Sequence, residues 1–330
     1  MKNTIYIFSD GELKRKDNTI FFENENGKKF IPVENTSEIM IFGEVTLNKR
    51  FLEFLTQSEI ILHFFNRYEY YVGSYYPREH LNSGYVILKQ AEHYNDQNKR
   101  LFLAQKFIEG SYKNMIVVLK YYNNRGTDLN KIILSIEELS KKIYDTKSIS
   151  ELMAYEGNIR DIYYLAFDNI IGIEEFNFQR RTKRPPLNYL NTLISFGNSL
   201  IYTTVLSEIY KTHLDPRIGY LHSTNFRSFT LNLDIAEIFK PIIVDRIIFS
   251  LLGRKKISTD DFENNLEGII LKEKGMKTFV EEFQSKLETV INHPHIGKSA
   301  TYRTIIRMEA YKIEKHIIGD EEYNPFISQW

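Results

Sequence analysis

A histidine and two carboxylates lie close together in the segment GYLHSTNFRSFTLNLDIAEIFKP, residues 219–241. His222 follows Gly219, which favours a turn, and Asp234 and Glu237 are three residues apart in an apolar helical pattern. Residues at i and i+3 share one face of a helix, so both carboxylates can approach a single ion. Among apolar neighbours, carboxylates are costly unless they are paired or bind a cation.

A further acid, Glu156, precedes Gly157 in the helical pattern ELMAYEGNIRDIYY. Glycine within a helix costs about 1 kcal/mol relative to alanine, and close approach to the backbone is one reason for its presence. Carboxylates and one imidazole, without thiolates, suit Mg²⁺ or Mn²⁺ better than structural zinc. Such an ion polarises a phosphoryl oxygen and orients a hydroxyl nucleophile, so the pattern indicates phosphoryl chemistry.

The run RRTKRPP, residues 180–186, places four cations before a rigid turn. These cations are Arg180, Arg181, Lys183 and Arg184. The whole chain has 43 basic and 43 acidic residues and no net charge, so any surface for a polyanion must be local. We therefore predict that this run contacts phosphates.

Each of these features also has an ordinary structural explanation. Acids near a helix N-terminus complement the helix dipole, and a histidine in a loop is commonly a hydrogen-bonded structural residue. A basic run is commonly a solvated surface, and Gly157 is equally explained as a packing glycine. Residue types and spacing alone leave these alternatives open.

The elements that must position these residues differ between the two ends of the chain. The first eighty residues contain short β-branched and aromatic runs separated by turn signals, with one short helical insertion, TLNKRFLEFLTQ. Helical periodicity follows over residues 85–122, 129–144, 148–171, 187–213, 231–252, 275–293 and 299–318. Ser148 and Ser258 stand where helix N-caps are expected.

The pattern predicts an α+β protein in which a small N-terminal β-sheet domain precedes a large all-helical C-terminal domain. We place the first domain at residues 1–76, a linker at 77–84 and the helical domain at 85–330. The chain of 330 residues has no cysteine, no signal-peptide pattern and no apolar run of about 18 residues. We therefore expect a soluble cytoplasmic protein without disulfides or a membrane segment.

Several ordered motifs resemble those of the CRISPR-associated integrases of spacer acquisition, the "Cas one" family. The motifs are YEGNIRDIYY, the basic stretch with prolines RRTKRPP, IGYLH and LNLDIAEIFKPIIVDR. Further similarity lies upstream in YYVGSYYPREHLNSG and downstream in TYRTIIRMEAYKIEKHIIGDEEYNPF. The resemblance covers nearly the whole chain and is most similar to the subtype I-B branch.

The resemblance assigns roles to individual residues. Glu156, His222 and Asp234 fall on the family's metal-binding glutamate, histidine and aspartate, and Glu237 matches the second acid of the same helix, which assists coordination in some members. Departures occur at Asn158–Arg160, where many members have small residues. They also occur at Phe226, where many have glycine before the arginine that is Arg227 here; we expect Arg227 to contact DNA.

The resemblance implies a metal-dependent DNA endonuclease and integrase that uses Mg²⁺ or Mn²⁺. It implies that the 3′-hydroxyl of a protospacer duplex attacks a phosphodiester at the repeat boundary of a CRISPR array. It also implies a homodimer formed through the N-terminal domain, two of which bracket a dimer of the small "Cas two" partner. Another metal-dependent phosphohydrolase, or a catalytically silent nucleic-acid scaffold, remains an alternative.

Overall fold

A computed structural model describes residues 2–78, 81, 83–224, 229–265, 268–292 and 299–329. The chain divides into two compact units, Met1–His80 and Leu81–Trp330. Strands dominate the first unit and helices dominate the second. The predicted α+β fold class, with a β-sheet region followed by a mainly helical region, is confirmed.

The first unit contains two four-stranded sheets and one helix among its described residues. The strands are β1 (Asn3–Ile7), β2 (Gly11–Lys16), β3 (Thr19–Asn24), β4 (Gly27–Pro32), β5 (Thr36–Ile41), β6 (Val45–Leu47), β7 (Ile61–Phe65) and β8 (Tyr71–Tyr75), and the helix is α1 (Lys49–Ser58). One sheet has the order β1-β5-β7-β8 and the other β4-β3-β2-β6. Alternate residues of the strands, such as Ile39 and Ile41 of β5, enter a core shared with Phe51 and Leu55 of α1.

The described part of the second unit is built mainly from helices. They are α2 (Gly84–Asn95), α3 (Gln97–Asn123), α4 (Asn130–Lys141), α5 (Ile149–Ile171), α6 (Tyr189–Tyr210), α7 (Leu231–Phe239), α8 (Arg246–Gly253), α9 (Glu273–Glu288) and α10 (Tyr302–Ile318). Within the described ranges, none of the helices combines the length and the apolar character that a membrane crossing requires.

The prediction of an all-helical second domain is wrong in one respect, because two short antiparallel hairpins interrupt the helices. β9 (Phe262–Asn265) pairs with β10 (Gly268–Leu271), and β11 (Val290–Asn292) pairs with β12 (Ser299–Thr301). The predicted helix over 275–293 therefore ends earlier, and its last residues join β11. These strands are only three or four residues long, so their sequences carry little periodic signal.

The long helical pattern over residues 85–122 is two helices that meet at Asp96. Asp96 ends α2 by donating its backbone N–H to the Glu92 carbonyl oxygen. Its side chain then accepts the N–H groups of Asn98 and Lys99, at 2.9 and 3.0 Å, and so caps α3. An aspartate at an N-cap satisfies donors that the first turn of a helix leaves unpaired, which explains why the chain bends here.

The helix α7 lies at the centre of the second unit and packs against α3 and α6. Eight of its nine residues are buried. Asn114 of α3 donates its side-chain N–H groups to the carbonyl oxygens of Ile238 and Phe326, at 2.9 and 3.0 Å. A Cβ at Gly110 of α3 would lie 3.1 Å from the Ile238 side chain, so glycine permits the close contact of the two helices.

A single wide turn of π-helix, Pro241–Asp245, joins α7 to α8. Pro241 has no backbone N–H and cannot continue the α-helical ladder. At the other end of the turn, the N–H of Asp245 donates to the carbonyl oxygen of Lys240, five residues earlier, at 3.1 Å. Such turns commonly lie near functional sites, and this one follows directly after the helix that carries Asp234 and Glu237.

Candidate metal and DNA-binding site

His222 lies in the connection between α6 and α7. Hydrogen bonds between residues 216–219 and residues 230–231 hold this connection in place. The backbone N–H groups of Thr230 and Leu231 both donate to the Pro216 carbonyl oxygen at 3.0 Å. The N–H of Gly219 donates to the Thr230 hydroxyl oxygen at 2.8 Å. A Cβ at Gly219 would lie 2.7 Å from the Thr230 carbonyl carbon, so the predicted turn requires glycine at this position.

Asp234 is fully buried and holds the segment that contains His222. Its Oδ2 accepts the backbone N–H groups of Tyr220 and Leu221, at 2.6 and 3.1 Å. Its Oδ1 accepts the backbone N–H of His222 at 3.0 Å and lies 2.7 Å from the ring Nδ1 of the same residue. A carboxylate has about four acceptor positions, and in Asp234 these four contacts fill them.

This contact also fixes the chemistry of the His222 ring. Because a carboxylate only accepts hydrogen bonds, Nδ1 carries the hydrogen and Nε2 of the neutral ring keeps its lone pair for another partner. Burial lowers the pKa of His222, but the hydrogen bond and charge of Asp234, with the charge of Glu237, outweigh burial and raise the pKa.

Glu156 on α5 and Glu237 on α7 are joined through Arg160. Nε of Arg160 donates to Oε1 of Glu156 at 2.7 Å, and Nη2 lies 2.5 Å from the same oxygen. The same Nη2 donates to Oε2 of Glu237. Burial lowers the pKa of Arg160, but the two carboxylates outweigh burial and raise it, so the guanidinium stays charged.

Glu237 has a second cationic partner in Lys240. Nζ of Lys240 lies 2.5 Å from Oε1 of Glu237 and 4.6 Å from the centre of the Tyr202 ring. Burial raises the pKa of Glu237, but the charges of Arg160, Lys240 and His222 outweigh burial and hold the pKa well below its usual range. The carboxylate is therefore ionised at neutral pH although it is almost completely buried.

The four predicted ligands are thus brought together as two pairs, His222 with Asp234 and Glu156 with Glu237. Although Asp234 and Glu237 are three residues apart on α7, their carboxylates make different contacts. Asp234 is bonded to residues 220–222, whereas Glu237 is bonded to the two cations. In the part of the chain that the structure describes, no three His, Asp or Glu side chains are arranged to hold a metal ion.

The donor types nevertheless fit a hard divalent ion. Glu156 and Glu237 supply carboxylate oxygens and His222 supplies Nε2, which are ligands that Mg²⁺ and Mn²⁺ accept. Asp234 stands behind His222 as a carboxylate commonly stands behind a metal-bound histidine. The guanidinium of Arg160 lies between the two glutamates, so an ion bound there would supply the positive charge that Arg160 supplies now.

Gly157 stands in open space on α5, directly after Glu156. A Cβ at Gly157 would meet no atom of the described structure within 4 Å, so the explanation as a packing glycine is wrong. Gly157 follows Glu156 directly in sequence, so the open position is one residue from a proposed ligand on α5. A bound molecule could approach the helix backbone here.

The basic run over residues 180–186 divides into exposed and structural members. Arg180, Lys183 and Arg184 are exposed. Arg181 is partly buried, and its guanidinium donates to the side-chain oxygens of Asn191 and Ser195 on α6, at 2.9 and 3.1 Å. Arg181 therefore fastens the run to α6, and the exposed members are the ones placed to meet a polyanion.

Lys183 connects this run to the acidic cluster. Although its side chain is exposed as a whole, partial burial of the ammonium and the neighbouring cations Arg181, Lys240 and Arg160 lower its pKa. The influence of Lys240 and Arg160 places Lys183 beside the cluster. Arg227, the fifth residue predicted to contact DNA, lies outside the described residues.

Arg160 and Lys240 are the members of the cluster that the sequence interpretation missed as site residues. Arg160 follows Glu156 by four positions and Lys240 follows Glu237 by three. Both spacings place an acid beside a cation on one helix face, so the pairing signal was present in the sequence. Nothing in that spacing shows that Arg160 also reaches Glu237, because that contact joins two helices.

The family model described as CRISPR associated protein Cas1 matches residues 5–285. The chain belongs to the Cas1 family. The resemblance to this family that the motifs indicate is therefore confirmed, whereas the subtype I-B branch stays a prediction.

Relatives match the chain over its whole length. A Cas1 relative from Thermodesulfovibrio yellowstonii, named CRISPR-associated endonuclease Cas1 2, is 60% identical over 330 residues, which are 100% of each chain. A solved structure of a CAS1 protein from Thermotoga maritima is similar with a TM-score of 0.88 and 49% identity, covering 99% of this chain and 100% of that one.

More distant structures share the Cas1 fold. A casposase bound to integration product gives a TM-score of 0.89 at 21% identity, covering 99% of this chain and 94% of that one. A Cas6-RT-Cas1–Cas2 complex gives a TM-score of 0.86 at 16% identity, covering 100% of this chain and 36% of that one. At these identities the similarity shows the common fold.

Proposed function

We propose that this Cas1 protein is a metal-dependent DNA endonuclease and integrase that inserts protospacer DNA into a CRISPR array. The 3′-hydroxyl oxygen of a short duplex attacks a phosphodiester at the repeat boundary. A new phosphorus–oxygen bond forms, the bond to the 3′-oxygen of the cut strand breaks, and the proton of the attacking hydroxyl passes to water. The observation that carries the proposal is that Arg160 bridges Glu156 and Glu237 while Asp234, on the same helix as Glu237, orients His222, in a member of this family.

Mg²⁺ or Mn²⁺ at this site would polarise the scissile phosphate and stabilise charge on the leaving oxygen. Glu156, Glu237 and Nε2 of His222 would hold the ion. We assign Asp234 to positioning His222, because its acceptor positions are already filled by residues 220–222. The proposed set contains all four residues that the sequence indicates, and it changes the part that Asp234 plays.

The other residues of the cluster prepare the site for a polyanion. Lys240 holds Glu237 ionised in a buried position and supplies a fixed positive charge close to the site. Lys183 supplies another positive charge from the basic run. The open position at Gly157 would let a DNA strand approach the α5 backbone next to Glu156 without displacing a packed side chain.

We propose that double-stranded DNA, both protospacer and repeat, is held through its phosphates. The exposed cations Arg180, Lys183 and Arg184 carry this contact, together with Arg227. Since the protein has no net charge, attraction to DNA depends on such local groups. Arg181 contributes by fastening the run to α6.

We propose further that the Met1–His80 unit forms a homodimer, and that two homodimers bracket a dimer of the Cas two partner. Phe30 of β4 and Val72 of β8 are 54% and 67% exposed, and both strands are at the edge of a sheet. Exposed apolar residues at sheet edges favour covering by another chain. Light scattering should give the mass of a dimer at tens of micromolar protein, and a monomer there would contradict this part of the proposal.

A strand-transfer assay tests the activity. Purified protein, with and without the Cas two partner, is incubated with a protospacer duplex that has free 3′-hydroxyl ends and with a plasmid that carries repeats. We expect protospacer strands joined to plasmid strands in the presence of Mg²⁺ or Mn²⁺, and none in EDTA. A protospacer with 3′-dideoxy ends should give no product, because the attacking oxygen is missing.

Other outcomes would select the alternatives. Metal-dependent cleavage of branched DNA without any joined product would indicate another metal-dependent phosphohydrolase. DNA binding without cleavage or joining in either metal, also with the partner present, would indicate a silent nucleic-acid scaffold.

A further inference from the structure

Arg160 occupies the space between the two glutamates that we propose as ligands. Its Nη2 contacts Oε1 of Glu156 and Oε2 of Glu237, and its Nε adds a second bond to Glu156. Arg160 and Glu156 are about one-fifth exposed, and Glu237 is 7% exposed. The bridge is therefore shielded from solvent, where ion pairs are screened less than at the surface.

One nitrogen atom sets the separation of the two glutamates. Because both carboxylate oxygens lie within hydrogen-bonding distance of Nη2, they are at most about 6 Å apart. Two ionised carboxylates at this separation repel each other unless a cation lies between them. The guanidinium therefore fulfils the electrostatic role that a divalent ion would fulfil at the same place.

We propose that Arg160 is a built-in competitor of the divalent ion. Its guanidinium bridges Glu156 and Glu237 in the metal-free protein and leaves at least one of them when the ion binds. Arg160 acts as a positioning residue, because it keeps the two carboxylates close together before the ion arrives. This inference rests on the proposed function, since it takes both glutamates as ligands.

The proposal has an unusual consequence for metal affinity. If Arg160 only supported the structure of the site, its removal would weaken metal binding. If it competes with the ion, its removal leaves two unbridged carboxylates that bind the ion more tightly. The two roles therefore predict changes of opposite sign.

The test compares Arg160→Met with Lys113→Met in the full-length protein after removal of metal with EDTA. The control is matched, because Lys113 pairs with Glu109 at i, i+4 on α3, at 2.5 Å, as Arg160 pairs with Glu156 on α5. Binding of Mn²⁺ alone is measured by calorimetry and by the loss of the free Mn²⁺ signal in electron paramagnetic resonance. We expect Arg160→Met to lower the Kd about tenfold or more, or about 1.4 kcal/mol. Lys113→Met should leave the Kd unchanged.

Thermal unfolding gives a second readout that needs no activity. Arg160→Met should unfold at a lower temperature than wild type in EDTA, and Mn²⁺ should raise its unfolding temperature more than that of wild type. Arg160→Lys keeps the charge but not the fork of donors, so its Kd should fall between those of wild type and Arg160→Met.

The outcomes separate this inference from the function on which it rests. A folded Arg160→Met protein that binds Mn²⁺ as weakly as wild type, or more weakly, overturns the competitor role. If Arg160→Met unfolds in EDTA and folds when Mn²⁺ is added, the competitor role is supported; if it stays unfolded with Mn²⁺, Arg160 is a structural ion pair and the inference fails. If the wild-type protein binds no Mn²⁺, or if His222→Ala leaves the Mn²⁺ binding unchanged, the proposed metal site itself fails.

Discussion

Glu208 on α6 and Glu237 on α7 are both buried glutamates surrounded by cations, yet the two clusters differ in composition. Glu208 is a single carboxylate that contacts Lys211, Arg303 and Arg307, with the nearest contacts at 2.7 Å. Around Glu237, a second glutamate shares one arginine with it. Buried charge alone therefore does not mark a functional site, since both regions contain it.

The difference lies in how the charges are arranged. Lys211 directly follows α6, and Arg303 and Arg307 lie on α10, so their contacts with Glu208 fasten two helices and compensate the burial of its charge. In the cluster of Glu156 and Glu237, two acids share one arginine, and the charge of Glu237 also acts on the oriented imidazole of His222. Because neighbouring carboxylates repel each other, binding of an added cation between them is favourable.

The largest expected effect is on activity. Glu237→Gln should lower the rate of strand transfer on the order of 100-fold or more, because a proposed ligand loses its charge. Glu156→Ala and His222→Ala should act similarly, whereas Glu208→Gln should retain the wild-type rate at a temperature at which it is folded. The rates are measured with saturating Mg²⁺ and again with Mn²⁺. Equal losses in Glu237→Gln and Glu208→Gln would remove the distinction between the two clusters.

The loss of stability should be larger in Glu208→Gln than in Glu237→Gln, which is the reverse of the order expected for activity. Glu208→Gln leaves three cations around an uncharged, buried side chain, and we expect a loss of about 3–5 kcal/mol in the free energy of unfolding. Glu237→Gln should lose less, because Arg160 keeps Glu156 as a partner and Lys240 is the one cation left without its carboxylate contact. Urea denaturation in EDTA measures both variants. A larger loss in Glu237→Gln would show that its cluster is the main structural one.

A third acid near Glu237 gives a pH-dependent test. Burial raises the pKa of Asp245 to about 7, and the Tyr163 hydroxyl donates to its carboxylate at 3.1 Å. Between pH about 4 and 7 the folded protein therefore binds a proton that the unfolded chain has released, so this residue contributes less stability as the pH rises. The stability of Asp245→Asn relative to wild type should increase by about 1.4 kcal/mol per pH unit in this window. Parallel curves of unfolding free energy against pH for the two proteins would contradict the assignment.

The smallest expected effect concerns DNA affinity. Arg180→Ala combined with Arg184→Ala should weaken binding to all DNA sequences about equally and lower the slope of log affinity against log salt by roughly 1–2. Lys274→Ala with Lys277→Ala, two cations on α9, serves as the control and should leave the slope unchanged. Fluorescence anisotropy over a range of salt concentrations measures both. If the arginine variant changes the preference among sequences, its contacts are to bases and not to phosphates.

The fold could be predicted where a local signal was strong. Ser148 caps α5 by accepting the Glu151 N–H, as its position indicates. The strand β2, with the sequence GELKRK, could not be found in this way, because Leu13 is its one aliphatic residue. Leu13 is fully buried opposite Phe22 of β3, so pairing with a neighbouring strand and not local propensity determines this element.

For the candidate site, too, local sequence signals indicated residues but not the contacts between elements. The sequence indicated Glu156, His222, Asp234 and Glu237, and the structure brings these four together as two pairs. It could not show that the acceptor positions of Asp234 are filled by backbone N–H groups and the His222 ring. It also could not show that Arg160 reaches across to α7. Both features depend on how a connection and two helices pack, and this information is not contained in the spacing along one helix.

The wide turn Pro241–Asp245 holds one residue more than an ordinary helical turn and so keeps α7 and α8 close to the rotational phase of one continuous helix. Inserting one further residue there, in ordinary helical conformation, would rotate α8 by about 100° relative to α7. Arg246, whose guanidinium lies 3.9 Å from the centre of the Tyr121 ring, would turn away from α3. Phe249 would likewise leave Phe167 of α5, where their ring centres are 4.7 Å apart. The phase of α8 thus helps to set where α5, and with it Glu156, stands beside α7.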